Sequence, residues 1–528
     1  MIKISEERLT RKPQGVQRRG ATELRQEVRT TMESVISFAE EQAATTLEFK
    51  YAEAALQRHL RAVGRAVLSL YLEIAEARIA ATLEAGVSRM GRQFRRAPAL
   101  CRGLLTVFGV IWYWRSYLRE TTAASGSRHG YHPLDAQLGL TADRVSHNVL
   151  ATSVRLATRM SFAEAHEVAR WFLPTVPSTE VIQNAVQGLG EDAARWFHDA
   201  PLPEGDGDVL VIQIDSKGAP TATEEELRKR RGPRKTRIKS PSPRHRGRAL
   251  RDSWTRKPRR KKGDKSKNAK MATLVVMYTL RRERGLLLGP INKRFYASFA
   301  PKRHAVEYAQ REAARRGFGP ARKKDIQVVT DGDNDLRHYV AELFPGVRHT
   351  LDLLHVVERI WTAGECLYDE GTAELRDWAV AQREQLLLGN TDEVLAEMER
   401  RLAAIPKTGP GNKGKRQRLA EALGYLRKRA HQMHYREVMA KDLEMGTGAV
   451  EGAVKNLIGK RMDHGGMRWI KERAEAVLKL RCIDANGQWE AFMQRVHHRL
   501  RDEATAHGSR PRLQRRQPAI LPSLLEAA

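Results

Sequence analysis

The chain has 528 residues, 41% of them apolar, and carries 93 Lys and Arg against 63 Asp and Glu, a net charge of +30. Length and apolar share suit three or four domains with sizeable cores. The three cysteines (Cys101, Cys366, Cys482) form no CxxC pair, which excludes a disulfide framework and a Cys-rich zinc site. No run of 18 apolar residues occurs and the opening MIKISEERLTRKPQG has no apolar signal core, so the expectation is a soluble cytosolic protein with no membrane partner.

A charge of +30 favours a polyanionic partner, most simply nucleic acid, because each neutralised phosphate releases counterions. A merely solvated basic surface has the same charge. Residues 1–20 read as a polar arm. Residues 21–90 contain no Pro and repeat apolar positions (Leu56, Leu60, Val63, Val67, Leu68, Leu70) at helical spacing, which predicts long amphipathic helices. These fit a bundle, an oligomerisation element or a DNA-end-binding region. Residues 104–118, LLTVFGVIWYWRSYL, predict a strand pair around Gly109. The aromatics Trp112, Tyr113, Trp114 and Tyr117 fit a core better than a base-stacking platform. Residues 160–189 have a helix–turn–helix-like pattern, with Ser161 and Ser178 as caps on either side of LPTVPS; it suits a DNA reader or any helical domain.

Asp208–Pro220, DVLVIQIDSKGAP, is an apolar run broken only by Gln213 and closed by Asp215. It reads as a buried strand. A carboxylate at its end needs a cationic partner, a metal or Lys217. Residues 228–270 follow with 21 Lys and Arg against two acids, +19 of the chain's +30. Such a block cannot bury a core and reads as a loop inserted beside the Asp215 strand, suited to nucleic acid. Strands then resume at Met271–Leu280 and Phe295–Phe299, a helix at 303–316, a strand at Ile326–Thr330, a helix at Leu336–Leu343 and a strand at Val347–Leu353. That order predicts a mixed α/β sheet. Residues 356–440 return to helix, and 443–465 and 467–481 are two more helices before a basic tail.

Asp331 ends a second apolar strand as Asp215 ends the first. Adjacent in one sheet, the two acids would share a Mg²⁺ site; alone, Asp331 fits a turn or a helix cap. TDGDNDL mimics an EF-hand loop but places Leu336 where Gly is needed, and GPGNKGKR lacks the Ser or Thr of a P-loop. Glu451, on a helix with the apolar stripe Val450, Val454, Leu457 and Ile458, is the candidate third acid. Its alternative is a surface pair with Lys455.

The set QIDSKG, VVTDGDNDL, HTLDLLHVVE and GTGAVEGAVKNLIGKRMDHGGMRW resembles bacterial insertion-sequence transposases with an RNase H-like DDE core, of the Kra-type family. PLDAQLGL and MSFAEA are similar to its N-terminal half. The resemblance covers most of residues 100–495. It implies Asp215, Asp331 and Glu451 as a DDE triad binding two Mg²⁺ (Mn²⁺ substituting), with Asp215 bridging, and Asp352 and His355 as an accessory Asp-x-x-His pair. It implies DNA as substrate, at transposon ends and target, a homodimer or larger homo-oligomer, and a place in the bacterial cytoplasm on the nucleoid. The chain lacks the Cys pairs that related families carry before the PLDA-like segment, and its basic insertion is longer than typical. DNA contacts are expected at Lys217, Arg230, Arg231, Arg234, Lys235, Arg259, Arg260, Lys261, Lys262, Arg461 and Arg468. The expected division is 1–100 helical; 101–200 strand-plus-helix; 201–365 an α/β RNase H-like core of mixed sheet and flanking helices, interrupted by the insertion 225–270; 366–440 a helical insertion; 441–500 the completion of the core; and 501–528 a tail. A structure-selective nuclease of the same fold and a non-catalytic transposase descendant are the alternatives.

Overall fold

The computed structural model describes residues 16–45, 47–84, 86–89, 92–121, 130–231, 269–319, 324–464 and 466–507. The chain divides into two compact units, Met1–His198 with Lys479–Ala528, and Asp199–Leu478. The stretch read as completing the core, 441–500, is thus shared: its last part belongs with the N-terminal unit. Among the described residues, no helix is long and apolar enough to cross a membrane.

The first unit opens with a helical hairpin, α1 (Ala21–Ala44) and α2 (Phe49–Thr82). An antiparallel sheet follows in the order β1 (Gly86–Arg89), β2 (Arg92–Thr106), β3 (Gly109–Glu120), β4 (Gly130–Tyr131). The β2–β3 turn closes at Gly109, whose φ of +114° suits glycine. β2 is far longer than sequence periodicity predicts, because its first half is mostly solvated, with Phe94 its one buried apolar side chain. Tyr113 is buried, and Trp112 packs over Gly103. The β3 aromatics therefore build core.

Helices α3 (Pro133–Gln137), α4 (His147–Arg159), α5 (Phe162–Phe172) and α6 (Thr179–Asp199) come next. Ser161 caps α5 with Glu164 in a reciprocal capping box, as the sequence predicts. The second helix, α6, begins as the sequence predicts and runs 21 residues, burying ten, from Val181 to Phe197, along one face. Gln183, Asn184, Gln187, Glu191 and Arg195 are left unburied on the opposite face.

The PLDA-like segment is structural. Asp135 is 2% exposed. Arg102 Nη1 donates to its Oδ2 at 3.0 Å, Tyr113 Oη donates to its Oδ1 at 3.0 Å, and Arg115 pairs with it as well. Two buried guanidiniums thus depend on one carboxylate. Asp135→Ala is expected to cost about 3–5 kcal/mol, the usual penalty for orphaning buried charge, measurable by urea unfolding; a loss below about 1 kcal/mol would refute the role.

The second unit holds a five-stranded mixed sheet in the order β7-β6-β5-β8-β9. Its strands are β5 (Val209–Pro220), β6 (Ala269–Glu283), β7 (Leu286–Ser298), β8 (Asp325–Thr330) and β9 (Arg348–Leu351). β5 pairs antiparallel with β6 and parallel with β8, and β8 pairs parallel with β9. Between them lie α7 (Glu224–Arg231), α8 (Lys302–Arg315) and α9 (Asn334–Leu343). A helical block follows: α10 (Leu353–Gly364), α11 (Ala373–Leu387), α12 (Thr391–Ala404), α13 (Asn412–Arg427) and α14 (Tyr435–Ala440). It closes on its own apolar core, including Ile360, Leu386, Met398 and Leu426. Then α15 (Gly448–Ala453) passes through a π-helical turn, Val454–Gly459, into Lys460–Met462. α16 (Lys471–Ala485) and α17 (Trp489–His507) end the described chain.

Candidate active site

In β5 successive side chains alternate between faces, so Val211, Gln213 and Asp215 share one face. The register pairs Ile214 with Thr330 and Thr330 with Leu351. One residue beyond those pairs stand Asp215, Asp331 and Asp352. Three neighbouring parallel strands therefore carry a carboxylate at the same level, where β8 and β9 end and β5 runs on to Pro220 against β6; this is the end of a sheet where α/β proteins place ligands.

The loop after β8 decides which of its acids is free to act. Asp333 caps α9, accepting from Asp335 N and Leu336 N at 3.0 and 3.1 Å, and pairs with Lys302 at 2.5 Å. Asp335 lies 3.4 Å from the same lysine. Asp331 takes only a local turn bond, from Asp333 N at 3.1 Å. Gly332, with φ of +86°, makes the turn; a Cβ there would stand 2.3 Å from Tyr425 Oη. Tyr425 Oη donates to Asp331 O at 2.8 Å and Arg429 Nε to Gly332 O at 2.8 Å. The helical block thus buttresses the turn that aims Asp331.

Asp352 is fully buried and caps α10 through Leu354 N at 2.7 Å. Its Oδ2 accepts from His355 Nδ1 at 3.1 Å and from Thr447 through backbone and hydroxyl. The Thr447 hydroxyl also meets Glu451 Oε1 at 2.9 Å. Ligand atoms of Asp352, His355 and Glu451 all lie within 4.8 Å of one another. Sequence reasoning left Asp352 and His355 without a role, their Asp-x-x-His spacing being the signal for the pair, and it marks Thr447 as a helix cap; Thr447 does stand at the N-cap, but its hydroxyl goes to the Asp352 and Glu451 carboxylates instead of capping the helix.

Two buried glutamines deliver α15. Gln213 Nε2 donates to Gly446 O at 3.0 Å, and its Oε1 accepts from Val450 N at 3.0 Å. Gln327 Nε2 donates to Glu444 O at 2.6 Å, and its Oε1 accepts from Glu444 N at 3.0 Å. α15 starts later than the sequence predicts because residues 444–447 are extended along these amides.

The site is electrostatically crowded. Burial pushes the Asp215 carboxyl above the ordinary carboxylate range; Asp331 and Glu451 push it the same way, against the Ser216 N–H and His355. Burial alone would lower His355, but its bond to Asp352 and the charges of Asp352 and Asp331 hold it above its usual value.

The expected DNA contacts separate. Lys217 follows Asp215 on the same face, its Cε 3.5 Å from where a Cβ on Gly459 would stand. Arg468 is half-buried. Arg461 is a correction: it is 1% exposed, with its guanidinium 4.6 Å from the Trp469 ring, so it braces the π-helical turn instead of meeting a strand. Arg234, Lys235, Arg259, Arg260, Lys261 and Lys262 lie outside the described residues, as do the side chains of Arg230 and Arg231.

No protein-family model matches the chain, and no curated protein matches it. Among solved structures it is similar to one titled Drosophila P element transposase strand transfer complex, with a TM-score of 0.26 and 11% identity over 67% of this chain and 95% of that one. A similarity that slight assigns no role to any residue.

An acid with a raised folded pKa costs stability above that pKa, so at neutral pH ionised Asp215 destabilises the metal-free protein. Asp215→Asn is therefore expected to raise Tm in EDTA by roughly 2 °C or more at pH 7. The gain should shrink as pH falls and wild type takes up the proton. A lower Tm in the variant would show that the carboxylates are not mutually strained.

Proposed function

We propose that the protein is a DNA transposase that cleaves at the ends of an insertion sequence and joins the freed 3′ ends to target DNA, on an RNase H-like core. What supports this reading is that Asp215 and Asp331 stand at one level on adjacent parallel strands, and that the charges of Asp331 and Glu451 both raise the Asp215 carboxyl. The strand order, with its first strand central and its second antiparallel, supports the fold assignment.

The donor set fits hard divalent cations: carboxylate oxygens, part-exposed, with room for water. Asp215, Asp331 and Glu451 would hold them, with Asp352 and His355 beside. Mg²⁺ (or Mn²⁺) held there would supply charge neutralisation for the oxygens of the phosphodiester. The chain does the positioning. Glu451 is exposed where Asp352 is buried, so a strand approaches from the α15 side. Lys217, beside the acids, would pair with a neighbouring phosphate, and the basic insertion after β5 would grip the flanking duplex. Thr447 and Asp352 hold Glu451 and His355 in place.

Cleavage and joining are measured on DNA flanking the coding sequence, with and without pre-cut ends. Asp215→Asn and Glu451→Gln are expected to lose at least about a hundredfold in Mg²⁺-dependent cleavage while still binding DNA. Full cleavage by either variant would sink the triad. Cleavage without joining of pre-cut ends would instead favour the nuclease reading.

Joining two ends calls for two copies. On α2, Phe49, Leu56, Leu60, Val67 and Tyr71 are all exposed and fall within an arc of roughly 60°, a stripe about 33 Å long. Sequence periodicity places Leu56, Leu60 and Val67 on a buried face; the packed face is instead that of Leu68, Leu72 and Ile79. Such an exposed stripe marks an interface. Antiparallel pairing with a second copy about Leu60 would set Phe49 against Tyr71, each eleven residues from the centre. Leu60→Glu is expected to convert dimer to monomer in light scattering and to abolish joining of paired ends. A wild-type protein that is monomeric both free and on DNA would overturn this.

A further inference from the structure

At the amino ends of β8 and β9, away from the acids, the second unit has a cavity of about 900 Å³. Its walls are strand ends, α9, and the segment from His431 through α14 to Leu443. The lining carries Lys324, Arg337, Arg348, Lys441 and four histidines, His338, His349, His431 and His434. Two acids, Asp325 and Glu437, also line it. Among the described residues neither pairs with Arg337, Arg348 or Lys441, and no other carboxylate does. The Arg337 Nε is buried with no hydrogen-bond partner.

The histidines do not answer that charge. His349 is held neutral: Gln432 Nε2 donates to its Nδ1 at 2.7 Å, which leaves Nε2 to donate to Thr330 Oγ1 at 2.9 Å. Burial, then the fields of His431, His434 and Arg337, keep it far below its ordinary range, at about 3. His434 is lowered by burial and by Arg348. The cavity therefore sets four cations, Lys324, Arg337, Arg348 and Lys441, against two carboxylates with which, among the described residues, none of them forms an ion pair, an excess of charge that an anion would offset. A guanidinium with an open buried edge suits tetrahedral oxyanions, which it meets in a bidentate fork. The volume suits a ligand of nucleotide size.

We propose that this cavity is a phosphate-binding site, separate from the acidic cluster, in which Arg337 and Arg348 clamp a phosphoryl group and Lys441 closes the rim. The phosphate comes either from a free nucleotide or from a nucleic-acid backbone crossing the β9 edge. The site does not depend on the transposase reading, since none of its residues touches the carboxylates that carry that reading.

The test is titration calorimetry on the full-length protein with inorganic pyrophosphate, with ATP, and with a random 30-base-pair duplex (about 100 Å long). Wild type is compared with Arg337→Gln/Arg348→Gln and with Lys441→Gln, a change at an exposed side chain that leaves the fold intact. Tenfold or greater loss of pyrophosphate and ATP binding in the double variant, with a smaller loss in Lys441→Gln, assigns a free-phosphate site. The same loss confined to the duplex, with a shallower salt slope, assigns the backbone source. Asp215→Asn should bind all three probes as wild type does. If wild type binds none of them, or if Lys441→Gln and a double Arg→Lys variant bind each like wild type, the proposal is wrong. The Lys variants keep the charge, so they separate loss of the fork from loss of the fold.

Discussion

Everything at the acidic site depends on two side-chain amides buried in the sheet. Gln213 and Gln327 are each 1% exposed, and a buried amide must find partners or cost several kcal/mol. They find them on the segment Glu444–Val450. Gln327 pairs with both the N–H and the C=O of Glu444, as a neighbouring strand would. Gln213 takes Gly446 O and Val450 N, and shares Tyr278 Oη at 3.2 Å. The segment cannot slide by one residue without breaking these bonds at once. Glu451, one residue past Val450, inherits that fixed position.

A site fixed this way can bear internal repulsion. Asp215, Asp331, Asp352 and Glu451 gather with one imidazole among them, and crowding shows in the raised Asp215 and His355. Like charges in partly dry surroundings destabilise a fold. The opposing stabilisation comes from elsewhere: the strand ladder of β5, the apolar core of the helical block, and the hold of Tyr425 and Arg429 on the Asp331 turn. The helical insertion has at least this structural task.

Much of the second unit was legible in the sequence because its signals are local. Each of β5, β8 and α8 is an apolar run or amphipathic stripe bounded by turn residues, and its observed limits fall within a residue or so of those expected. The identity of the acids was legible for the same reason: Asp215 and Asp331 stand where an apolar strand stops. What the sequence could not carry was non-local. Gln213 looked like a break in an apolar run and is a tether. Arg461 looked like a surface cation, yet it lies beneath Trp469, which itself extends the β5 edge by bonding Pro220 O at 3.0 Å. The first unit was less legible. The outer half of β2 buries only Phe94, so no period-2 apolar signal exists to read.

The sheet also sorts charge. β5, β8 and β9 run in parallel, so their carboxyl ends lie together and their amino ends lie together. Acids predominate at the first end and cations at the second, where Asp325 and Glu437 also stand, and the two ends are separated by the rise of four to six residues, roughly 13–20 Å. That exceeds a Debye length at physiological salt, so across solvent neither cluster neutralises the other. Each must find its counter-charge outside the chain: cations for the carboxylates, oxyanions for the guanidiniums. A sheet built to let the two clusters cancel would have alternated strand direction, as β6 and β7 do, and it would have had no use for either ligand.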